Sequence, residues 1–133
     1  MRKIEHIGIA VKDLDVSNAL FEKLFGAPAY KSEEVTSEGV MTSFFKNGPN
    51  KIELLAATNP ESPIAKFLEK KGEGIHHIAF DVEDIVLEIT RLKKEGFIVL
   101  NDIPKRGADN KIVAFLHPKS TNGVLIELCQ EIK

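Results

Sequence analysis

Two stretches of this chain superimpose residue by residue, and that repeat limits the possible folds more than any other feature. Laid over each other, His6-Ile-Gly-Ile-Ala-Val-Lys-Asp-Leu and His77-Ile-Ala-Phe-Asp-Val-Glu-Asp-Ile agree at His6/His77, Ile7/Ile78, Val11/Val82 and Asp13/Asp84, an offset of 77 − 6 = 71. Further on, Lys51-Ile-Glu-Leu lies over Leu125-Ile-Glu-Leu, with Ile52/Ile126, Glu53/Glu127 and Leu54/Leu128 identical at an offset of 127 − 53 = 74. A short insertion around Pro118 to Asn122 accounts for the drift. Two copies fill all 133 residues, so the repeat is one unit used twice and not a solenoid.

Each copy reads as a strand, a helix and then three strands. Residues 4–11 alternate, with Ile7, Ile9 and Val11 on one side and His6, Gly8 and Ala10 on the other; residues 75–82 set Ile78, Phe80 and Val82 against His77 and Ala79. Residues 15–25 carry helical spacing, with Asp15 as N-cap, a buried stripe of Val16, Ala19, Leu20 and Leu24, and Gly26 as the stop. In the second copy Ile85, Ile89 and Leu92 form the stripe and Gly96 ends it. Strands are expected near 28–36, 40–46 and 51–56, then near 97–101, 111–116 and 124–129. A short helix links the copies, capped by Ser62, with Pro63 in its first position and Gly72 closing it.

The same alternation selects the chemistry. Ile52 and Leu54 point to the helix-covered core and Glu53 points away; Ile126 and Leu128 point to the core and Glu127 points away. His6 and His77 also point away from the core. Each copy therefore offers one imidazole and one carboxylate on its uncovered face. If a pseudo-twofold axis relates the copies, His6, Glu53, His77 and Glu127 meet in one cleft. Two imidazoles and two carboxylates suit Zn²⁺, Co²⁺, Ni²⁺, Mn²⁺ or Fe²⁺. An isolated strand histidine is more often a local hydrogen-bonding residue than a ligand. Recurrence of both residue types at matched positions, each Glu set among apolar neighbours where an unpaired charge is costly, favours the metal site. His76, on the core face beside Ile78, reads as structural.

Composition removes several function classes. A formal net charge of −2 gives no overall basic bias toward nucleic acid. The lone Cys129 excludes an internal disulfide framework and fits a reducing compartment. No apolar run approaches the roughly 20 residues of a membrane helix. Nothing at the N-terminus reads as a signal or transit segment. A cytoplasmic location without membrane contact is expected.

Two βαβββ modules with His and Glu on one face resemble the vicinal oxygen chelate (glyoxalase/bleomycin resistance/dioxygenase) superfamily, and within it the methylmalonyl-CoA epimerases. The resemblance runs nearly end to end. It rests on His6-Ile-Gly-Ile-Ala-Val, Lys51-Ile-Glu-Leu-Leu, Gly74-Ile-His-His-Ile-Ala-Phe, Ile103-Pro with Gly107, and Phe115-Leu-His-Pro-Lys-Ser-Thr-Asn-Gly-Val-Leu-Ile-Glu-Leu. The first motif is common to the superfamily; the last is far more specific to the epimerases. The resemblance implies an α+β fold of two tandem βαβββ modules forming a U-shaped sheet cleft around a metal. It implies a single domain over residues 1–133, with module one about 1–58, linker helix about 62–72 and module two about 74–133. By position, His6, His77 and Glu127 fall on family metal ligands, and Glu53 on the fourth, where some members carry Gln. A second acid proposed as a base in some epimerases aligns with Thr42, which has no carboxylate.

The implied activity is metal-dependent interconversion of (2R)- and (2S)-methylmalonyl-CoA, an isomerase reaction of propionate metabolism, with Co²⁺ or Zn²⁺ as the first choices of ion. Glu127 is the expected base at C2, with Glu53 as its counterpart on the opposite face. Lys105, Arg106, Lys119 and Ser120 lie in loops near strand ends where the CoA phosphates could reach them. A homodimer is implied. The rival readings are a glyoxalase I-type isomerase, a fosfomycin-type thiol transferase and a non-enzymatic binding protein that kept the fold.

Overall fold

The computed structural model describes residues Met1–Lys133. In chain order its elements are β1 (Lys3–Ala10), α1 (Leu14–Phe25), β2 (Lys31–Val35), β3 (Val40–Asn47), β4 (Asn50–Ala57), α2 (Pro63–Lys71), β5 (Gly74–Asp81), α3 (Ile85–Lys94), β6 (Lys105–Arg106), β7 (Lys111–Leu116) and β8 (Ile126–Glu131). The class is α+β. The chain forms two compact units, one of His6–His76 and one of Met1–Glu5 with His77–Lys133.

In the unit of His6–His76 the strands run β2-β3-β4-β1, with β1 parallel to β4 and the other neighbours antiparallel. One face packs against α1. Val11, Phe45, Leu54 and Ala56 form the buried centre, with Ile9, Ile52, Leu14, Phe21 and Phe25 around it. The rings of Phe21, Phe25 and Phe45 lie 5.7–6.2 Å apart, within the range of favourable tilted contacts. Asp13, not Asp15, caps this helix: its backbone is extended and its carboxylate accepts the Val16 N–H at 3.1 Å. The expected stripe is also corrected. Val16, Leu20 and Leu24 are 61–67% exposed, and the buried side is Leu14, Ser17, Phe21 and Phe25. Gly26 ends the helix in the left-handed region, as expected.

The opposite face of this sheet is only partly open. Helix α2, with Ser62 capping the Ala65 N–H and Pro63 in its first turn, lays Ile64, Phe67 and Leu68 over Ala10, Val40 and Leu55. Gly39, at φ +62°, makes that approach possible. A Cβ there would lie 2.7 Å from Asn59 Nδ2 and 2.9 Å from Ser62 Cβ.

In the second unit the strands run β5-β8-β7-β6, the same topology with β5 parallel to β8. Here the expected stripe holds: Ile85, Ile89 and Leu92 pack with Val82, Ala114, Leu116 and Leu128. Asp84 caps α3 through the Leu87 N–H, and Gln130 Oε1 accepts the Ile85 N–H. The strand expected at 97–101 is reduced to a single bridge between Val99 and Leu116, and the edge is completed by the two-residue β6. Arg2 joins this unit by donating its backbone N–H to the Asp81 carbonyl and its Nε–H to the Asp81 carboxylate, each at 2.8 Å. No helix of the chain is long and apolar enough to cross a membrane.

Candidate functional site

In the first unit β1 and β4 place Gly8 opposite Glu53 and His6 opposite Lys51. Ile52 and Leu54 belong to the α1 core, so alternation turns Glu53 to the other face, with His6 on the neighbouring strand. His6 Nδ1 lies 3.1 Å from Glu53 Oε2, with the two residues 4% and 5% exposed. Across from Glu53 on β3 is Phe44, fully buried. Thr42, one pair further along this face, is also buried. A carboxylate this deep needs a cation or hydrogen-bond donors to hold its charge, and the imidazole is a donor in reach.

The second unit repeats the arrangement. The β5–β8 register sets Ala79 beside Glu127, and the β7–β8 register sets Phe115 opposite it. Ile126 and Leu128 pack toward α3, so Glu127 faces the other way. His77 Nε2 lies 3.3 Å from Glu127 Oε1, with the residues 5% and 6% exposed. The Phe115 ring meets the His77 ring edge-on, 6.2 Å between centroids, and limits its rotation. Cys129 shares this face. Burial first, then the Glu127 carboxylate, push its thiol well above the ordinary range, so it stays protonated and unreactive.

Each pair also fits a divalent metal. Bonds of roughly 2.0–2.2 Å to imidazole nitrogen and carboxylate oxygen put two adjacent ligand atoms about 3.0–3.5 Å apart in octahedral to tetrahedral geometry. The observed 3.1 and 3.3 Å fall in that interval. The donor types are those that borderline first-row cations accept.

The other expected residues separate. Lys105 lies on the Glu127 face, its Nζ 6.0 Å from the Phe115 ring centroid. Arg106 alternates to the opposite face and lines a separate depression of about 480 Å³ with Arg2, Glu83, Ile112 and Gln130. Lys119 is exposed on the 3-10 turn Pro118–Ser120. The Ser120 hydroxyl is engaged locally: it donates to the His117 carbonyl at 2.9 Å and accepts the Ile98 N–H at 3.3 Å. His117 Nδ1 accepts the Lys119 N–H, which shapes the same turn. His76 is structural, packed edge-on against Phe67 at 5.0 Å, and burial lowers its pKa to about 4. Sequence reasoning missed Phe115 as a neighbour of both His77 and Glu127. Only strand register reveals that contact.

Comparison with known proteins places the chain in a family. Residues 5–115 match the glyoxalase/bleomycin resistance protein/dioxygenase superfamily. The chain is 44% identical to the ethylmalonyl-CoA/methylmalonyl-CoA epimerase of Cereibacter sphaeroides, covering 96% of this chain and 97% of that one. It is 40% identical to the human mitochondrial methylmalonyl-CoA epimerase over 96% of this chain and 73% of that one. A solved structure of a Streptomyces coelicolor methylmalonyl-CoA epimerase variant in complex with 2-nitronate-propionyl-CoA superposes with a TM-score of 0.94, at 35% identity, covering 98% of this chain and 95% of that one. With agreement in sequence, topology and extent, the chain belongs to the glyoxalase/bleomycin resistance protein/dioxygenase superfamily and, within it, to the methylmalonyl-CoA epimerase family.

Proposed function

We propose that this protein is a methylmalonyl-CoA epimerase in which the pairs His6–Glu53 and His77–Glu127 together hold one divalent metal ion. The observation that carries the reading is the duplicated buried His–carboxylate pair in a chain that matches epimerases over nearly its whole length. Co²⁺ and Zn²⁺ are the ions best suited to this nitrogen and oxygen set, with Ni²⁺, Mn²⁺ and Fe²⁺ also accommodated. A homodimer acting in the cytoplasm on acyl-CoA of propionate metabolism completes the reading and rests on family resemblance.

The chemistry asks little of the protein beyond placement. The C2 hydrogen of a malonyl thioester lies between two carbonyl groups and is already acidic. The bound cation would act as a Lewis acid toward the negative charge that develops on the thioester oxygen. Glu127, shielded from water beside Phe115 and His77, removes the C2 proton. Glu53, protonated beforehand from solvent, returns that proton to C2 from the opposite face and is left as a carboxylate, a role open to a carboxylic acid and closed to an amide. Lys105 and Lys119 meet CoA phosphates as point charges. Ser120 shapes the turn that carries Lys119. Arg106, on the other face, is left out of this assignment.

Glyoxalase I-type isomerisation could use the same four ligands, but close kinship with epimerases over the whole chain weighs against it. The deciding experiment follows deuterium incorporation at C2 of (2R)- or (2S)-methylmalonyl-CoA in D₂O, with and without chelator. Chelator-sensitive exchange is expected. Faster turnover of the glutathione–methylglyoxal hemithioacetal than of methylmalonyl-CoA would move the assignment to glyoxalase I.

A further inference from the structure

Glu53 has to be loaded with a proton before each turnover in which it serves as the acid, yet most of its surroundings in the first unit shut out water. Its side chain is 6% exposed. Phe44, opposite it on β3, is fully buried. One end of the face is covered by α2, where Ile64 packs over Ala10, Val40 and Leu55. A polar line leads out between these walls. Thr42 lies opposite Leu55 on β3, diagonal to Glu53 on the same face, and is buried. Glu33 lies directly opposite Thr42 on the edge strand β2, and its side chain is 34% exposed. By alternation Glu33 is the one other carboxylate that the strands of this unit place on this face. At the other end of the face Lys51 stands opposite Lys46 and His6. An ammonium group is a much weaker acid than a carboxylic acid, so the Glu33 side is the better path for a proton.

We propose that Glu33 and Thr42 form the relay that reloads Glu53 with a proton from solvent between turnovers. This inference rests on the epimerase reading, with Glu53 as the returning acid. Side chains opposite each other on neighbouring strands stand roughly 5 Å apart at Cβ and diagonal ones roughly 7–8 Å, within reach of a long side chain. Lys31 sets the outer group in place. It lies opposite Phe44, its Nζ 5.1 Å from the ring centroid and 3.4 Å from Glu33 Oε1, so the Glu33 carboxylate is drawn toward the row of Phe44 and Glu53. In the reset, Glu33 takes a proton from water or buffer. As the carboxylic acid it gives that proton to the Thr42 oxygen while the Thr42 hydroxyl gives its own to the Glu53 carboxylate. Glu53 ends as the acid and Glu33 as the carboxylate, open to the next proton from solvent.

The test is the steady-state epimerisation of methylmalonyl-CoA by Glu33→Gln, Thr42→Val and Thr42→Ser, with and without acetate at constant ionic strength. A slow reset limits turnover at saturation, whereas an enzyme waiting for dilute substrate has time to reload. Glu33→Gln and Thr42→Val should therefore lower kcat by about three- to tenfold, short of the roughly 10²-fold that loss of the acid itself brings, with kcat/KM within about twofold of wild type. Acetate, a small diffusible acid, should restore kcat in Glu33→Gln and leave wild type unchanged. Thr42→Ser keeps the hydroxyl and should behave as wild type. Melting curves check that each variant keeps the fold. Wild-type kcat in Glu33→Gln and Thr42→Val overturns the relay and leaves the epimerase reading intact. A joint fall in kcat and kcat/KM that acetate does not rescue gives the two residues a structural role and also overturns it. Full epimerisation by Glu53→Gln removes the acid and the relay with it. Wild type inert toward methylmalonyl-CoA overturns both the relay and the epimerase reading.

Discussion

Replacing Glu127 by Gln isolates proton transfer from everything else this residue does. The amide is isosteric, and its oxygen can still accept from the His77 Nε2 side across the observed 3.3 Å. The side chain is 9% exposed, so bulk solvent has little access to it. Its neighbours Phe115, Ala79 and Cys129 are not bases at neutral pH, whereas the His77 imidazole lies 3.3 Å away and the buried Glu5 carboxylate lies near Cys129. Asp81, one pair further along β5, is committed to Arg2 at 2.8 Å. With His77 assigned to the metal in this reading, the loss should be the weight of a general base, about 10²- to 10⁴-fold, or about 2.7–5.5 kcal/mol of barrier. Stability should change by no more than about 1 kcal/mol, since shape and contact survive. The assay follows deuterium incorporation into each pure epimer by mass spectrometry, alongside a thermal melt and metal analysis. Exchange from both epimers within about threefold of wild type, at equal metal content, would refute the role given to Glu127.

Three further predictions concern the other half-site, the metal and the fold. Glu53→Gln should keep its metal yet lose overall epimerisation by about 10²-fold, while deuterium can still wash into one epimer; near-wild-type values in both assays would reduce Glu53 to a ligand. Purified protein should hold about one divalent ion per chain, and His6→Ala or His77→Ala should lose most of it by elemental analysis; full occupancy in the double variant would remove the site. Asp13→Ala should cost about 1 kcal/mol in denaturant unfolding and Asp15→Ala less than about half of that. The reverse order would contradict the capping geometry of α1.

The repeat made the topology legible because strand alternation and matched His and Glu positions need only sequence to be seen. It predicted that Glu53 and Glu127 turn away from their helices, and both registers agree. The two helices fared differently for a physical reason. In α3 the apolar residues lie on one side, so the stripe is unambiguous. In α1 two candidate stripes exist, one of Val16, Leu20 and Leu24 and one of Leu14, Phe21 and Phe25, with the buried Ser17 interrupting the second. Aromatic contact with Phe45 decides between them, and that contact spans some twenty residues of chain. Segment 97–101 has the alternation of a strand, but it is tied to β7 through the Asn101 side chain and the Leu100 N–H to Phe115 carbonyl bond, not through a ladder. No local pattern encodes such a clamp. Phe115 beside His77 is likewise a matter of register.

Gly39 carries a different lesson, about what a mutational scan of this protein would report. Position 39 contributes only backbone hydrogen bonds, to Thr36 and from Thr58, yet every side chain should be rejected there, because the first carbon would overlap Asn59 and Ser62 while the backbone sits at φ +62°. Since Ser62 begins α2, intolerance at one position in a turn would propagate to the seating of a whole helix. In a fitness map, position 39 would stand as high as His6 or Glu127. Only a readout that separates abundance from turnover would show that selection there acts on empty space.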